Sequence, residues 1–407
     1  MPEVGQNRVA VAMSGGVDSS VALLLLKRAG FDVVGFTAKL LAEDTSGSCC
    51  SIVAAHNARR VCDKLDVPHY IVNLKEPFYE KVITRFVREY ELGRTPNPCV
   101  DCNRFIKFKH FLEIADSLNC YYLATGHYAR ITESQSEGGA ADTASESVKR
   151  KEDNPLHYSE RAPEGSYKLL RGVDPSKDQS YFVAVITREE MRRILFPCGN
   201  HTKEEVRRLA EDAGLPTAKT PESQDVCFLS GGRDLGYWVK LVTGKEPSPG
   251  VIRDISGAEL GEHKGIEYFT RGQRKGLSLG GGPARYVIDL EPRERAVIVA
   301  KRGQVKIHAI ELSHVNILVD GFVDVPNSVT VRTRYRQKEV PATLRRLSCL
   351  EEKDENKTTE SPRLLVEFEE PQEFISPGQW CVFYNGEVVV GCGLIENIKI
   401  KQLQGNT

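Results

Sequence analysis

Met13-Ser14-Gly15-Gly16-Val17-Asp18-Ser19-Ser20 follows the run Arg8-Val9-Ala10-Val11-Ala12 and precedes Val21-Ala22-Leu23-Leu24-Leu25-Leu26-Lys27-Arg28. The first run reads as a short buried strand reaching Met13. The last reads as a helix from about Ser19 to Arg28, stopped by Gly30. A Gly-Gly turn between strand and helix lets backbone N–H groups converge on a phosphate, because Gly15 and Gly16 carry no Cβ to block it. The helix N-terminus adds partial positive charge, and the hydroxyls of Ser14, Ser19 and Ser20 are expected as further donors. Asp18 is badly placed beside phosphates unless it bonds backbone amides or holds Mg2+. No Gly-Lys-Ser/Thr is present, so this is not a Walker A loop. A loop that grips pyrophosphate without that lysine suits release of pyrophosphate, and hence adenylation by ATP.

Working outward, Phe31–Phe36, Val67–Asn73 and Tyr121–Thr125 read as strands, and Ile52–Leu65 and Phe105–Leu118 as helices. Strands alternating with helices predict an α/β domain with a parallel sheet, Rossmann-like in its nucleotide loop. Thr132 to about Gly165 is rich in Ser, Glu, Gly, Ala and Lys, and reads as an exposed, disordered insertion. Helical patterns resume at Tyr181–Arg193 and Lys203–Ala213. From Val251 onward short β-like runs dominate, among them Val329–Thr333, Arg363–Phe368, Trp380–Tyr384 and Glu387–Val390, which predicts a small β-barrel or sandwich.

The bulk numbers bound the function. The chain has 407 residues, a formal net charge of -1 and 27% charged residues. Two or three domains are expected, without a global basic field. The longest apolar run, Val21–Leu26, is far short of a membrane span, and the N-terminus resembles neither a signal nor a transit peptide. A cytoplasmic enzyme with no membrane partner is the expectation. Eleven cysteines, odd in number and irregular in spacing, argue against a secreted disulfide framework.

Two segments put cysteines where packing explains them poorly. Arg94-Thr95-Pro96-Asn97-Pro98-Cys99-Val100-Asp101-Cys102-Asn103 carries two prolines and two asparagines, and reads as a loop. Glu222-Ser223-Gln224-Asp225-Val226-Cys227-Phe228-Leu229 sets one cysteine between polar and apolar stretches. The remaining cysteines, at 49, 50, 62, 120, 198, 349, 381 and 392, read as structural.

The loop Ser-Gly-Gly-Val-Asp-Ser resembles that of the ATP-pyrophosphatase group, which includes tRNA thiolation enzymes, argininosuccinate synthetases and amidotransferase synthetases. The two cysteine segments narrow this to a resemblance to the tRNA-uridine 2-sulfurtransferases. Further matches are Leu123-Ala124-Thr125-Gly126-His127-Tyr128, Lys177-Asp178-Gln179-Ser180-Tyr181, Gly272-Gln273-Arg274-Lys275-Gly276-Leu277, Arg334-Tyr335-Arg336-Gln337 and Pro377-Gly378-Gln379. The resemblance implies a nucleotide-binding α/β domain, a small central domain and a C-terminal β-barrel, which we place at 1–222, 223–297 and 298–407. It implies nucleotide contacts at Ala12, Met13, Ser14, Gly15, Gly16, Val17, Asp18, Ser19, Ala38 and Gly126, and use of ATP with Mg2+. It implies tRNA contacts, through the anticodon arm and its wobble uridine, at Asn97, Pro98, Cys99, His127, Lys177, Asp178, Gln179, Arg334, Tyr335 and Gln379.

The chemistry implied is adenylation of the uridine C2 oxygen followed by sulfur transfer. Cys227 matches the cysteine that receives persulfide sulfur from a donor protein. Cys102 matches its nucleophilic partner, able to form a disulfide with it. Many members have Asp where Cys99 stands. With Cys99, three thiolates at 99, 102 and 227 suit a [4Fe–4S] cluster with one open iron, which recasts all three as ligands and makes a bound sulfide the source of sulfur. A thiol pair and a cluster are both open at this point. A PP-loop synthetase acting on a small molecule is the alternative function; it leaves the cysteines and the barrel without a role.

Overall fold

The computed structural model describes residues 7–41, 52–133, 167–221, 226–229, 233–280, 282–322, 327–347 and 363–400. The expected insertion therefore lies almost wholly outside the described residues, as do Cys49, Cys50, Cys349 and 222–225. The chain divides into two compact units, one of 1–79, 99–231 and 387–389, the other of 80–98, 232–386 and 390–407.

The first unit is built on a parallel five-stranded sheet. Its strands are β1 (Arg8–Ala12), β2 (Asp32–Lys39), β3 (His69–Asn73), β4 (Tyr122–Ala124) and β7 (Ile194–Leu195), in the order β3-β2-β1-β4-β7; the antiparallel pair β5 (Ala129–Glu133) and β6 (Tyr167–Arg171) lies outside this sheet. β1 is central, and Val9, Ala10 and Val11 have no exposed surface. That two-sided burial is why the strand reads as a continuous apolar run. The helix Val17–Arg28 follows, beginning two residues before the sequence pattern predicts. Its Val21, Leu23 and Leu26 are wholly buried, which stabilises by roughly 2–3 kcal/mol each. Val206 and Ala210 of the helix Lys203–Asp212 join the same apolar core. The chain leaves β1 toward β2 and reaches β4 on the other side, so the sheet order reverses at β1. The crevice beyond the carboxyl ends of β1 and β4 is where such sheets take ligands.

Two sequence expectations change here. Pro98 does not sit in a loop. It opens a helical run made of Pro98–Asp101, a π-helical stretch Cys102–His110, and Phe111–Ser117. Proline is tolerated in a first turn, where its missing N–H has no intrahelical acceptor. The helix expected over Tyr181–Arg193 is two short ones, Ser180–Val183 and Arg188–Met191. Thr187 restarts the second with a capping box to Glu190.

The second unit holds two β structures. Strands β8 (Gly250–Asp254), β9 (Glu259–His263), β10 (Arg285–Glu291) and β11 (Ala296–Lys301) form a sheet in the order β10-β11-β8-β9 around Ile252, Val287, Val297 and Val299. Strands β12 (Ile307–Ile317), β13 (Asn327–Arg332), β14 (Val340–Leu347), β15 (Arg363–Gln372), β16 (Trp380–Asn385) and β17 (Val388–Ile400) run in the order β12-β15-β14-β13-β16-β17. They close into a barrel through β12 and β17. Alternate residues point inward, as at Val329 and Val331 or Leu364, Val366 and Phe368. Among the described residues no helix is long and apolar enough to cross a membrane.

Candidate active site

The nucleotide loop is shaped by its own hydrogen bonds. Met13 N–H donates to Phe36 O at 2.8 Å and Thr37 Oγ1 donates to Met13 O at 2.9 Å, which fixes where β1 ends. Gly15 has φ +72°, and a Cβ there would lie 2.2 Å from Ala54 O, so both backbone and space demand glycine. Gly16 differs: an added Cβ would meet only Ser14 Oγ, at 3.5 Å. The protein itself leaves Gly16 room for a side chain. Gly16 is also the N-cap of Val17–Arg28 and supplies no side-chain cap. The amides of that first turn are available to an anion.

The serine hydroxyls do not all serve as expected. Ser19 Oγ donates to Gly16 O at 3.1 Å and accepts from Ser14 N–H at 3.2 Å. Ser20 Oγ donates to Gly16 O at 2.8 Å and accepts from Thr217 Oγ1 at 2.9 Å. Both serines are buried and hold the turn; Ser14 alone is exposed. Ala12 and Met13 end the strand behind the loop, and Ala38 is buried near the end of β2.

Asp18 is neutralised within the protein. Its Oδ1 accepts from the Tyr128 hydroxyl at 2.7 Å and from Lys203 Nζ at 2.6 Å. Cys198 Sγ donates to Asp18 O at 3.2 Å. Gly126 lies so close that a Cβ would sit 2.7 Å from Asp18 C and Ser19 N. The loops after β1 and β4 are thus locked together, backbone against backbone. Sequence reasoning missed Tyr128 and Lys203 as partners of this loop. One signal existed: a lysine in the first position of a helix opposes the helix dipole unless an acid faces it.

The residues beside Tyr128 turn inward. Gln179 Oε1 accepts from Tyr128 N–H at 2.9 Å, and Gln179 N–H donates to Tyr128 O at 2.8 Å. Asp178, 4% exposed, accepts from Gly172 N–H, Ser180 N–H and Ser180 Oγ. His127 is buried between Thr125 Oγ1, 2.7 Å from Nδ1, and Lys107 Nζ, 3.3 Å from Nε2. Burial first, and the Lys107 charge second, hold its pKa well below 6.5, so the ring is neutral. An ammonium only donates, so Nε2 accepts and the ring proton sits on Nδ1. Lys177 is half-buried in the turn before Asp178.

Cys99 is exposed and Cys102 half-buried in the first turns of the helical run, three residues apart and so on one face. Cys227 is half-buried. Its neighbour Phe228 meets Phe78 edge-on, with ring centroids 6.0 Å apart, and the segment Lys75–Phe78 packs on Cys102–His110. Cys62, Cys120, Cys198, Cys381 and Cys392 are buried, in line with structural roles. Burial, with Asp63 adding, pushes the Cys62 thiol up to about 12, far from a thiolate. Among the described residues no group of three or more His, Cys, Asp or Glu side chains is arranged to hold a metal ion. Mg2+ is a different matter. It keeps waters and takes one or two carboxylates plus phosphates, and Asp18, with its side chain 33% exposed, suits an ion carried in on ATP.

The second unit gathers the other candidates. Arg94 makes a two-pronged pair with Glu396, at 2.8 and 3.2 Å, and this pins the start of the Thr95-Pro96-Asn97-Pro98 segment. Gln379 Nε2 donates to Thr95 O at 3.0 Å, and its Oε1 lies 3.4 Å from Asn97 Nδ2. Arg334 Nη2 donates to Arg271 O and Phe374 O, at 2.7 and 2.6 Å. Thr95, Asn97, Arg334, Tyr335 and Gln379 share the wall of an open cavity of about 670 Å3.

Comparison with known proteins adds three matched regions. A tRNA methyl transferase HUP domain matches residues 7–231, a tRNA methyl transferase PRC-barrel domain 241–301, and an aminomethyltransferase beta-barrel domain 307–395. The tRNA-specific 2-thiouridylase MnmA 1 of Caldanaerobacter subterraneus is 43% identical over 396 residues, covering 96% of this chain and 98% of that one. The tRNA-specific 2-thiouridylase MnmA of Carboxydothermus hydrogenoformans is 40% identical, covering 97% and 99%. Among solved structures, NMN synthetase from Francisella tularensis aligns at 13% identity with a TM-score of 0.29, covering 61% of this chain and 80% of that one.

Proposed function

Since the chain belongs to the family of the tRNA-specific 2-thiouridylases, we propose that it replaces the C2 oxygen of the wobble uridine in tRNA with sulfur, using ATP. The observation that carries this is the nucleotide loop: Gly16 caps a helix whose first-turn amides receive no side-chain cap, in the same unit as Cys102 and Cys227. In this reading, an ATP site in the same unit as two thiols outside the packed core suits a substrate oxygen that is first activated and then displaced by sulfur.

In the first stage the uridine O2 attacks the α-phosphorus of ATP. The bond to the bridging oxygen breaks and pyrophosphate leaves. The loop amides and the helix N-terminus receive the charge that departs with it. Mg2+, held by Asp18 and the phosphates, would neutralise part of that charge. Ala38, in this reading, offers backbone groups to the adenine edge, and Gly126 contributes to the nucleotide site by letting the loop after β4 close on Asp18 and Ser19.

In the second stage the outer sulfur of a Cys227 persulfide, loaded by a donor protein, attacks C2 and AMP leaves. The product is a C2–S–S–Cys227 adduct. The Cys102 thiolate then attacks Cys227 Sγ. The S–S bond of the adduct breaks, its electron pair stays on the sulfur at C2 as the thiocarbonyl, and a Cys102–Cys227 disulfide forms. An external dithiol reduces that disulfide and closes the cycle. Asn97, Pro98, Cys99, Lys177, Arg334, Tyr335 and Gln379 are proposed to hold the anticodon arm. Asp178, Gln179 and His127, turned inward, are proposed to support the tRNA-facing residues of their own unit. No step runs through an iron–sulfur cluster.

Purified enzyme, ATP, a persulfide donor and unmodified wobble-uridine tRNA should yield 2-thiouridine with one pyrophosphate per base thiolated. Nucleoside mass spectrometry reads the first and a phosphate-release assay the second. Full thiolation by Cys227→Ala would overturn the proposal.

A further inference from the structure

The phosphate loop contains no lysine, yet a lysine stands against it. Lys203 Nζ lies 2.6 Å from Asp18 Oδ1 and 5.7 Å from the centroid of the Tyr128 ring. Its side chain is only 10% exposed. The backbone fixes it there: Thr202 caps the helix Lys203–Asp212 through a capping box with Glu205, and Lys203 N–H donates to Asp174 Oδ2 at 3.0 Å. A cation at that end of a helix is opposed by the dipole. A part-buried ion pair is also a weak source of stability, because desolvation and solvent screening offset its Coulomb gain. Packing does not call for the pair either, since Val206 and Ala210 already join this helix to the core around Val21.

The ion pair has a clearer use at the loop. A departing pyrophosphate carries several negative charges. Uncapped amides and a helix terminus together offer about half a positive charge. Asp18, in that first turn, subtracts a full one. Lys203 restores the balance at the point where the charge develops. We propose that Lys203 is the phosphate-binding cation of this nucleotide site, supplied from a helix distant in sequence and held in readiness by Asp18 and Tyr128. This rests on the adenylation reading above, and it adds that the residue acts on the pyrophosphate half of ATP.

The test is calorimetric titration of the full chain and of Lys203→Met with ATP, inorganic pyrophosphate and AMP. The loss of a charge-assisted contact should weaken ATP and pyrophosphate by roughly ten- to a hundredfold, and leave AMP within about twofold of the unchanged chain. Equal weakening of all three ligands, or of none, overturns the inference and leaves Lys203 a structural ion pair. Should Lys203→Met fail to fold, Lys203→Arg keeps the charge and the Asp18 pair. It should shift pyrophosphate affinity with AMP unmoved, and parallel shifts would again overturn the inference. A wild-type chain that binds neither ATP nor pyrophosphate removes the adenylation reading itself, an outcome distinct from the other two.

Discussion

The Tyr128 hydroxyl donates to Asp18 Oδ1 at 2.7 Å, across 110 residues of sequence. Tyr128 is in turn gripped by Gln179 through both backbone groups. A segment that resembles a tRNA contact is therefore two hydrogen bonds from the carboxylate in the phosphate loop.

Tyr128→Phe keeps the buried ring and removes only the donor. Hydrogen bonds to charged groups are worth about 1.5–3 kcal/mol. We expect kcat/KM for ATP-dependent thiolation to fall by roughly ten- to a hundredfold, with a shift in Tm of a few degrees at most. Steady-state kinetics and a thermal melt check both, and unchanged kinetics would show that Asp18 does not need this donor.

The two loop glycines should behave oppositely. Gly15→Ala forces a positive φ on alanine, worth roughly 1–2 kcal/mol, and drives its Cβ to 2.2 Å from Ala54 O. The backbone must shift, and a marked loss of Tm follows. Gly16→Ala has φ -93° and nothing nearer than 3.5 Å. It should melt close to wild type yet bind ATP weakly, because the new methyl occupies space kept for phosphate. Equal Tm losses in the two variants would contradict this assignment of the space.

His127 gives a pH signature. Its folded pKa is lowered below 6.5, chiefly by burial. The unfolded chain therefore binds more protons between the folded value and 6.5. Stability is fully present above 6.5 and declines as pH falls below it. The slope approaches about 1.4 kcal/mol per pH unit for one proton. His69, His201 and His263 are lowered as well and act in the same sense. His127→Gln should flatten the dependence of unfolding free energy between pH 5 and 6.5, measured by denaturant titration. A slope equal to wild type would mean that the ring is not held neutral.

How much of this was legible depends on distance along the chain. The β1–loop–helix unit could be read because strand, glycines and apolar helix face are contiguous from Arg8 to Arg28. The lock between Gly126 and Asp18 was legible only as a type, glycine at a strand end. Lys203 meets Asp18 across 185 residues, and no local pattern encodes such a pair. Pro98 misled for a physical reason: proline marks a loop or a first helical turn equally well, and tertiary packing decides between them. The inward turn of Asp178 and His127 was also hidden, since burial of a polar residue depends on partners at Gly172, Ser180, Thr125 and Lys107.

The cysteines separate thiol chemistry from a cluster. If Cys227 carries the persulfide and Cys102 resolves it, Cys102→Ser stops the reaction after AMP departs. The expected product is a tRNA–enzyme adduct joined through C2–S–S–Cys227, stable in a denaturing gel and released by dithiothreitol. Cys227→Ser yields no adduct. Cys99 is exposed at the start of the helical run, and this mechanism gives it a place only in the tRNA-facing surface. Cys99→Ser should therefore keep kcat for persulfide-fed thiolation within about threefold, the small change expected when a removed group makes no contact peculiar to the transition state. Cluster ligation makes the opposite demand, because three thiolates hold the iron and each is indispensable. Abolition of activity by Cys99→Ser, with no adduct from Cys102→Ser, would replace the thiol pair by a cluster.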